Sequence, residues 1–167
     1  MKVMQLGILS LLVISVGVVN AGTNDFAGTW VLNEVKSSGD LKSGGDMMIV
    51  AVDTKQLRYD PNGEKARRST FRLDGKKTTW QLEKGTTITR ITGELSLIGN
   101  GEAIELTRHV EYFGQMPITG TMIKKTVKLD TPPETLREVW TLQEEGKVLL
   151  VKSDDGTSLF YERQGKK

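Results

Sequence analysis

Turn residues interrupt this chain about every 8–12 residues, and that spacing limits what it can fold into. Gly follows Asn or Asp in the stretches DPNGE, LDGKK, GNGE and DDG. Gly at such places supplies the positive φ angle that tight hairpin turns require. The runs between the turns are rich in Val, Ile, Thr and aromatic residues, which favour strands. The pattern therefore predicts an all-β fold, a single antiparallel up-and-down meander that closes into a barrel.

The predicted strands follow one another without a linker, a repeat of longer period or a low-complexity tract, so residues 22–167 are expected to form one domain. The strand-forming runs are residues 27–33, 46–53, 56–60, 68–73, 78–83, 86–92, 95–98, 103–113, 122–129, 136–142, 148–152 and 158–164.

The amino-terminal segment has the layout of a secretory signal peptide. A short positive end at Lys2 precedes an apolar run over residues 5–19, and small residues then lead to Ala21. A retained membrane anchor is the rival interpretation, but the run is shorter than the roughly 20 residues that span a bilayer. We therefore expect residues 1–21 to be removed and the protein to be periplasmic or secreted. The chain has no cysteine, which excludes an acylated lipoprotein.

One segment allows two interpretations. A helix would begin with Thr131 as N-cap and Pro132 as its first residue, with Glu134 as the capping-box partner, and would end at Gly146. Val139, Trp140 and Thr141 favour a strand instead, and QEEGK resembles a hairpin connection. We favour the strand.

Alternate residues of a half-buried strand face the core, and this parity places charges on apolar faces. Arg108 shares its face with Tyr112, Lys125 lies on the apolar face of the next run, and Glu138 shares its face with Trp140. Buried charges usually pair with one another or line a wet cavity. A β-bulge that turns them into solvent, or simple pairing at a barrel mouth, is the alternative to a functional polar lining.

The first and last strands carry a family resemblance. The pattern of Gly28, Trp30 and the late Arg163 resembles that of the lipocalins of the calycin superfamily. More closely, the chain resembles exported bacterial lipocalin-like domains of unassigned function, in the stretches DFAGTWVLNEVKS, EVWTLQEEGKVLLV and FYERQ. The resemblance implies that Trp30 closes one barrel end and that Arg163 packs across its ring. A guanidinium over an indole face gains a cation–π contact. Unlike true lipocalins, the chain has no disulfide and no secure helix before the final strand.

The residues that carry common catalytic chemistry are few. His109 is the only histidine and there is no cysteine, so no metal ligand set stands out. Nucleophile-elbow, P-loop and zinc-protease motifs are missing from the sequence. With 23 basic against 21 acidic residues, the charge balance gives no footprint for nucleic acid. We expect a protein that is not an enzyme and that needs neither cofactor nor metal.

The leading hypothesis is an exported binding protein that holds a small hydrophobic or amphiphilic molecule inside the barrel. Pockets are typically apolar with a few placed polar groups. The expected ligand-binding residues are Trp80, Tyr112 and Trp140 as aromatic wall, with Arg108, Lys125 and Glu138 as polar groups, the two cations serving an acidic head group. A barrel filled by its own side chains is the alternative state of the interior. A protein-binding module that uses loops 35–45 and 114–120 is the second hypothesis, and a hydrolase or isomerase ranks last.

Overall fold

The computed structural model describes residues 21–42, 44–99 and 101–165, so the predicted signal peptide lies outside the described residues except for Ala21. Within these ranges the chain forms one short helix and eleven strands, with 3-10 turns at Lys65–Arg67 and Glu144–Gly146. The helix and strands are α1 (Ala21–Asn24), β1 (Gly28–Leu32), β2 (Met47–Val52), β3 (Gln56–Pro61), β4 (Ser69–Arg72), β5 (Thr78–Lys84), β6 (Thr87–Ile98), β7 (Ala103–Pro117), β8 (Lys124–Lys128), β9 (Glu134–Gln143), β10 (Val148–Ser153) and β11 (Ser158–Arg163).

The strands form one antiparallel sheet that curls into a nearly closed barrel, which confirms the predicted all-β meander. The order around the barrel is β4-β3-β2-β1-β11-β10-β9-β7-β6-β5. Each strand on this path pairs with its neighbour in sequence, except where β7 and β9 pair directly and where β11 returns to β1. β8 pairs with the outer end of β7, beyond the residues that pair with β9. The β7–β8 hairpin therefore projects past the barrel.

The two ends of the sheet, β4 and β5, meet along a seam. Within the described residues no ladder pairs join these two strands. Side chains close the gap instead, because Phe71 of β4 packs edge-on against Trp80 of β5 with ring centroids 5.5 Å apart. Phe71 is fully buried and Trp80 packs against the same core. The barrel is thus closed by backbone hydrogen bonds everywhere except at this aromatic contact.

Gly93 explains why the predicted runs 86–92 and 95–98 form one strand. The sequence favoured a break there, but β6 is continuous and Gly93 pairs with Arg108 of β7. A Cβ at Gly93 would lie 2.6 Å from Trp80 Cη2 and 2.7 Å from Phe71 Cε1. Glycine within a strand often marks such a close approach instead of a turn. The separation of the two runs was therefore wrong, because this glycine makes room for the seam aromatics.

Replacing Gly93 with alanine should lower the free energy of unfolding by about 1–3 kcal/mol, because the added methyl group overpacks the seam. Gly114→Ala on β7 is the matched control. Its Cβ would meet only the end of the Leu129 side chain, at 3.0 Å, which can move aside. Urea melts of both variants measure the difference. Equal stability of the two variants would contradict close packing at Gly93.

The segment that allowed both helix and strand is the strand β9, followed by a 3-10 turn. β9 pairs with β7 on one side and with β10 on the other. Trp140 stands opposite Ile104 and Val151, and all three side chains are buried. A helix here would leave one edge of β7 and one edge of β10 unpaired, so backbone pairing decides against the capping box.

Trp30 closes one end of the barrel, and the predicted contact with Arg163 is present. The Trp30 side chain is fully buried, and its indole N–H donates to the carbonyl of Phe26 at 2.9 Å. The guanidinium carbon of Arg163 lies 4.3 Å from the centroid of the Trp30 ring. Arg163 also donates to the carbonyls of Ala27 and Gly146, each at 2.8 Å, and to that of Asp25. The Trp30 side chain and the contacts of Arg163 therefore close this end of the barrel.

Gly28 belongs to the same arrangement. A Cβ at this position would lie 3.2 Å from Nη1 of Arg163, so glycine allows the guanidinium to approach the backbone of β1. The Gly-x-Trp pattern is thus explained by the packing of one arginine.

Candidate functional site

A cavity of about 120 Å³ lies inside the barrel, toward the end opposite Trp30. Its lining is mostly apolar or aromatic with a small polar group. The lining residues are Gly44, Met48, Tyr59, Pro61, Arg67, Ser69, Leu82, Ile91, Arg108, Glu138, Trp140, Val151, Leu159 and Tyr161. They come from strands all around the barrel, so the cavity is part of its interior. The interior is therefore neither an open cup nor completely filled.

Three strands place the connected polar group of this cavity, which consists of Tyr59, Arg108, Glu138 and Trp140. Tyr59 projects inward from β3, and Arg108 from β7. Glu138 and Trp140 lie two residues apart on β9 and therefore share a face. β7 and β9 are direct neighbours, with Leu106 opposite Glu138. The alternation of side chains thus brings an arginine and a glutamate from adjacent strands to the same cavity.

Arg108 and Glu138 form an ion pair with further hydrogen bonds at each partner. Nη2 of Arg108 bonds to Oε1 of Glu138. Nη1 of Arg108 donates to the Tyr59 hydroxyl at 2.9 Å, and the indole N–H of Trp140 donates to Oε2 of Glu138 at 3.1 Å. The two charged side chains are only 18% and 17% exposed. Pairing and hydrogen bonding are what make charges tolerable at this depth.

One guanidinium nitrogen of Arg108 has no hydrogen-bond partner among the described residues. This atom is Nε, which is buried. A buried donor without a partner costs free energy, so the hydrogen-bonding capacity of this ion pair is not fully satisfied.

Two tyrosines of the cavity stay protonated at neutral pH. Burial raises the pKa of the Tyr59 hydroxyl, an effect that nearby Arg108 opposes and Glu138 reinforces. Burial also raises the pKa of Tyr161, with a smaller contribution from Glu138. The Tyr161 hydroxyl donates to the carbonyl of Gly45 at 3.4 Å. Both phenols therefore contribute neutral hydroxyl groups to the cavity.

A carboxylate–guanidinium fork fixes the strand ends near the cavity mouth. Asp60 accepts two hydrogen bonds from Arg68, each at 2.7 Å. The Arg68 hydrogen bond holds the pKa of the Asp60 carboxyl below its usual range, against the effect of burial. Arg67, next in the chain, is exposed at the rim and has no ion pair among the described residues. The rim thus offers one cation that no carboxylate neutralises.

The loop between β1 and β2 is attached to the barrel near this mouth. Ser38 forms a β-bridge with Ser158, and Leu41 packs against the core. A Cβ at Gly44 would lie 2.1 Å from the Tyr161 hydroxyl, so the backbone there lies directly on the interior. The second hypothesis from the sequence assigned loop 35–45 to protein binding. In the structure, part of it forms the cavity wall.

The cavity unites three of the predicted site residues and leaves three outside. Arg108, Glu138 and Trp140 lie together, and the expected pairing of charges occurs between the first two. Trp80 packs in the barrel wall at the seam and does not line the cavity. Tyr112 lies farther along β7, where its hydroxyl donates to Glu134 at 3.2 Å near the surface.

Lys125 requires a correction. The expectation that it faces the interior with Arg108 and Glu138 was wrong, because it is exposed on β8. β8 pairs with β7 only from Phe113 outward, past the last β7–β9 pair at Val110. Side chains alternate along β8 as expected, but this strand extends past the barrel, so its apolar face does not point into the interior.

Tyr59 is the member of the polar group that the sequence reasoning missed. It lies in the predicted run 56–60 and shares parity with Leu57, which is fully buried. Period-two alternation in QLRYD was the available signal. Nothing local in the sequence indicates that its hydroxyl meets Arg108, since the two residues are 49 positions apart.

Three further observations concern features outside the cavity. The part of the chain that the structure describes holds no group of three or more His, Asp or Glu side chains placed to bind a metal ion. His109 is exposed, with Nδ1 3.4 Å from the hydroxyl of Thr135. Within the same ranges, no helix has the length and apolar character needed to cross a bilayer.

Comparison of the chain with protein-family models, with curated proteins and with solved structures finds no match. The likeness to lipocalins therefore rests on the residues of this chain, above all Gly28, Trp30 and Arg163.

Proposed function

We propose that this protein is an exported, non-enzymatic binding protein of the lipocalin-like type, which holds a small, mostly apolar molecule in the barrel. The observation that carries the proposal is the cavity next to Trp140, which apolar and aromatic side chains line together with the Arg108–Glu138 ion pair. An apolar pocket with a few convergent polar groups is the usual form of a small-molecule site. Export is supported by the signal-like sequence of residues 1–21.

The volume of the cavity limits the ligand. At about 120 Å³ it is well below the roughly 300–1,000 Å³ of pockets for drug-sized ligands. An engineered apolar cavity of about 150 Å³ in another protein binds benzene. We therefore propose a ligand of one small ring or a short chain, or a larger one whose end alone enters.

Charge balance limits the polar part of the ligand. Glu138 already neutralises Arg108, so the interior favours a ligand with an uncharged polar group, such as a carbonyl, over an anion. An acidic head group fits better at the rim, beside the exposed Arg67. This proposal replaces the pairing of Arg108 and Lys125 with an acid that the sequence favoured.

The same contacts support a binding role over a catalytic one. Both carboxylate oxygens of Glu138 are engaged, one by Arg108 and the other by Trp140. A general base needs an oxygen within reach of the substrate proton. Glu138 instead serves to neutralise and orient the arginine.

Titration with benzene, acetophenone and benzoate tests the proposal, with binding followed by the fluorescence of the tryptophans and by amide chemical shifts. We expect acetophenone to bind best, because it combines an apolar ring with a neutral acceptor. Ile91→Phe should abolish binding by filling the cavity, which Ile91 lines. Ile88→Phe is the matched control, since Ile88 is similarly buried on β6 but does not line the cavity. No binding of any probe, or unchanged binding by Ile91→Phe, would contradict the proposal.

A further inference from the structure

The tip of the β7–β8 hairpin exposes a compact set of apolar side chains. Met122 is fully exposed, while Ile123 and Met116 are 64% and 58% exposed. Ile118 completes the set at 43%. Isolated exposed apolar residues are common, but a contiguous group at the end of a projecting element indicates an interaction site.

The backbone holds this tip in a defined shape. Five ladder pairs support the hairpin, from Phe113 opposite Lys128 to Pro117 opposite Lys124. The turn is closed by the amide of Ile118 donating to the carbonyl of Ile123 and by the amide of Thr121 donating to the carbonyl of Ile118, each at 3.1 Å. The apolar side chains are therefore presented on ordered backbone.

The charges of the hairpin have one sign. Between Glu111 and Asp130 the sequence contains three lysines and no acidic residue. Lys128 pairs with Glu111 at 2.7 Å, but Lys124 and Lys125 are exposed and have no ion pair among the described residues. These two cations directly follow Met122 and Ile123, so they lie immediately behind the apolar tip.

From this arrangement we propose that the hairpin tip, residues 116–125, docks reversibly on the surface of a membrane that contains anionic lipids. Apolar side chains would enter the boundary between head groups and acyl chains, and Lys124 and Lys125 would lie level with the lipid phosphates. Charge complementarity favours a lipid surface over a protein. Residues 114–129 contain three lysines and no arginine, whereas protein interfaces are enriched in arginine and depleted in lysine. The inference does not depend on a ligand in the cavity.

Flotation with vesicles tests this docking. The probes are vesicles of equal parts phosphatidylglycerol and phosphatidylcholine, compared with vesicles of phosphatidylcholine alone. We expect the protein lacking residues 1–21 to bind the anionic vesicles more tightly, and added salt to weaken that binding. Lys124→Glu/Lys125→Glu should weaken it at least about 30-fold, since each lysine near an anionic surface contributes about 1 kcal/mol. Met122→Gln/Ile123→Gln should weaken it by at least about tenfold through loss of apolar burial.

Matched controls separate the tip from general effects of charge and folding. Lys76→Glu/Lys77→Glu makes the same charge change at the exposed turn between β4 and β5 and should leave most of the binding intact. Val35→Gln replaces a single exposed apolar residue away from the tip and should also leave most of the binding intact. Thermal melts confirm that each variant is folded. No flotation with anionic vesicles, or flotation unchanged by both tip variants, would overturn the proposal. Self-association that only the tip variants abolish, without flotation, would also overturn it and assign the tip to a second copy of the chain.

Discussion

Replacing Trp30 with alanine should lower the free energy of unfolding by about 3–5 kcal/mol, the range for removing a large buried aromatic side chain. The indole is fully buried at the closed end of the barrel, and its N–H bonds to the carbonyl of Phe26. The substitution leaves a cavity between β1 and the guanidinium of Arg163. Urea melts measure the change in unfolding free energy.

Arg163→Ala should cost less, about 1–3 kcal/mol, from the lost cation–π contact and hydrogen bonds. Because the two side chains touch, the double variant should deviate from additivity by about 0.5–3 kcal/mol. Arg90→Ala is the matched control. Arg90 lies 4.4 Å from the centroid of Phe113, so it loses a similar contact elsewhere, and it should combine additively with Trp30→Ala. Strict additivity of Trp30→Ala and Arg163→Ala would contradict their contact in solution.

Glu138→Leu should lower the free energy of unfolding by about 3 kcal/mol, because it leaves the guanidinium of Arg108 largely buried without its counter-ion. We expect the low end of the range for broken buried pairs, since both side chains retain some exposure. The Trp140 indole N–H also loses its acceptor. Equilibrium unfolding in urea at neutral pH measures the effect.

The double variant Arg108→Met/Glu138→Leu should recover much of this loss, because replacing both charges with apolar groups is often neutral or stabilising. Glu105→Leu is the control on the same pair of strands. This substitution breaks the ion pair of Glu105 Oε1 with Arg137 Nε, which are 3.6 Å apart. The pair is far more exposed than the one in the interior, so its loss should cost under about 1 kcal/mol. Equal costs for Glu138→Leu and Glu105→Leu would show that the interior pair has no special environment.

Local patterns in the sequence were sufficient for most of the strands, because both the turn glycines and the period-two alternation act within a few residues. They were insufficient at Gly93, because glycine as a residue type suggests a turn, whereas here its lack of a side chain serves packing against Trp80. The difference depends on β4 and β5 meeting, which no local pattern contains. The ambiguity at 131–146 was resolved in the same way, by pairing of β9 with distant strands.

The candidate site shows the same limit more sharply. Parity identified Arg108 and Glu138 as charges on apolar faces, and the structure brings them together. The same rule failed for Lys125, since parity indicates a face but not where the barrel ends. Tyr59 completes the polar group from the opposite part of the sheet, and only the closure of the barrel brings it to Arg108.

The barrel wall resists opening less at the seam between β4 and β5 than elsewhere. Elsewhere around the wall, widening the barrel breaks rows of backbone hydrogen bonds, which act together and resist separation. Across the seam, widening separates only side chains, chiefly Phe71 from Trp80. Amide hydrogen exchange should therefore be fastest, among the barrel strands, on the edges of β4 and β5 that face each other. We expect a molecule too large for the cavity mouth to reach the interior most easily along this line.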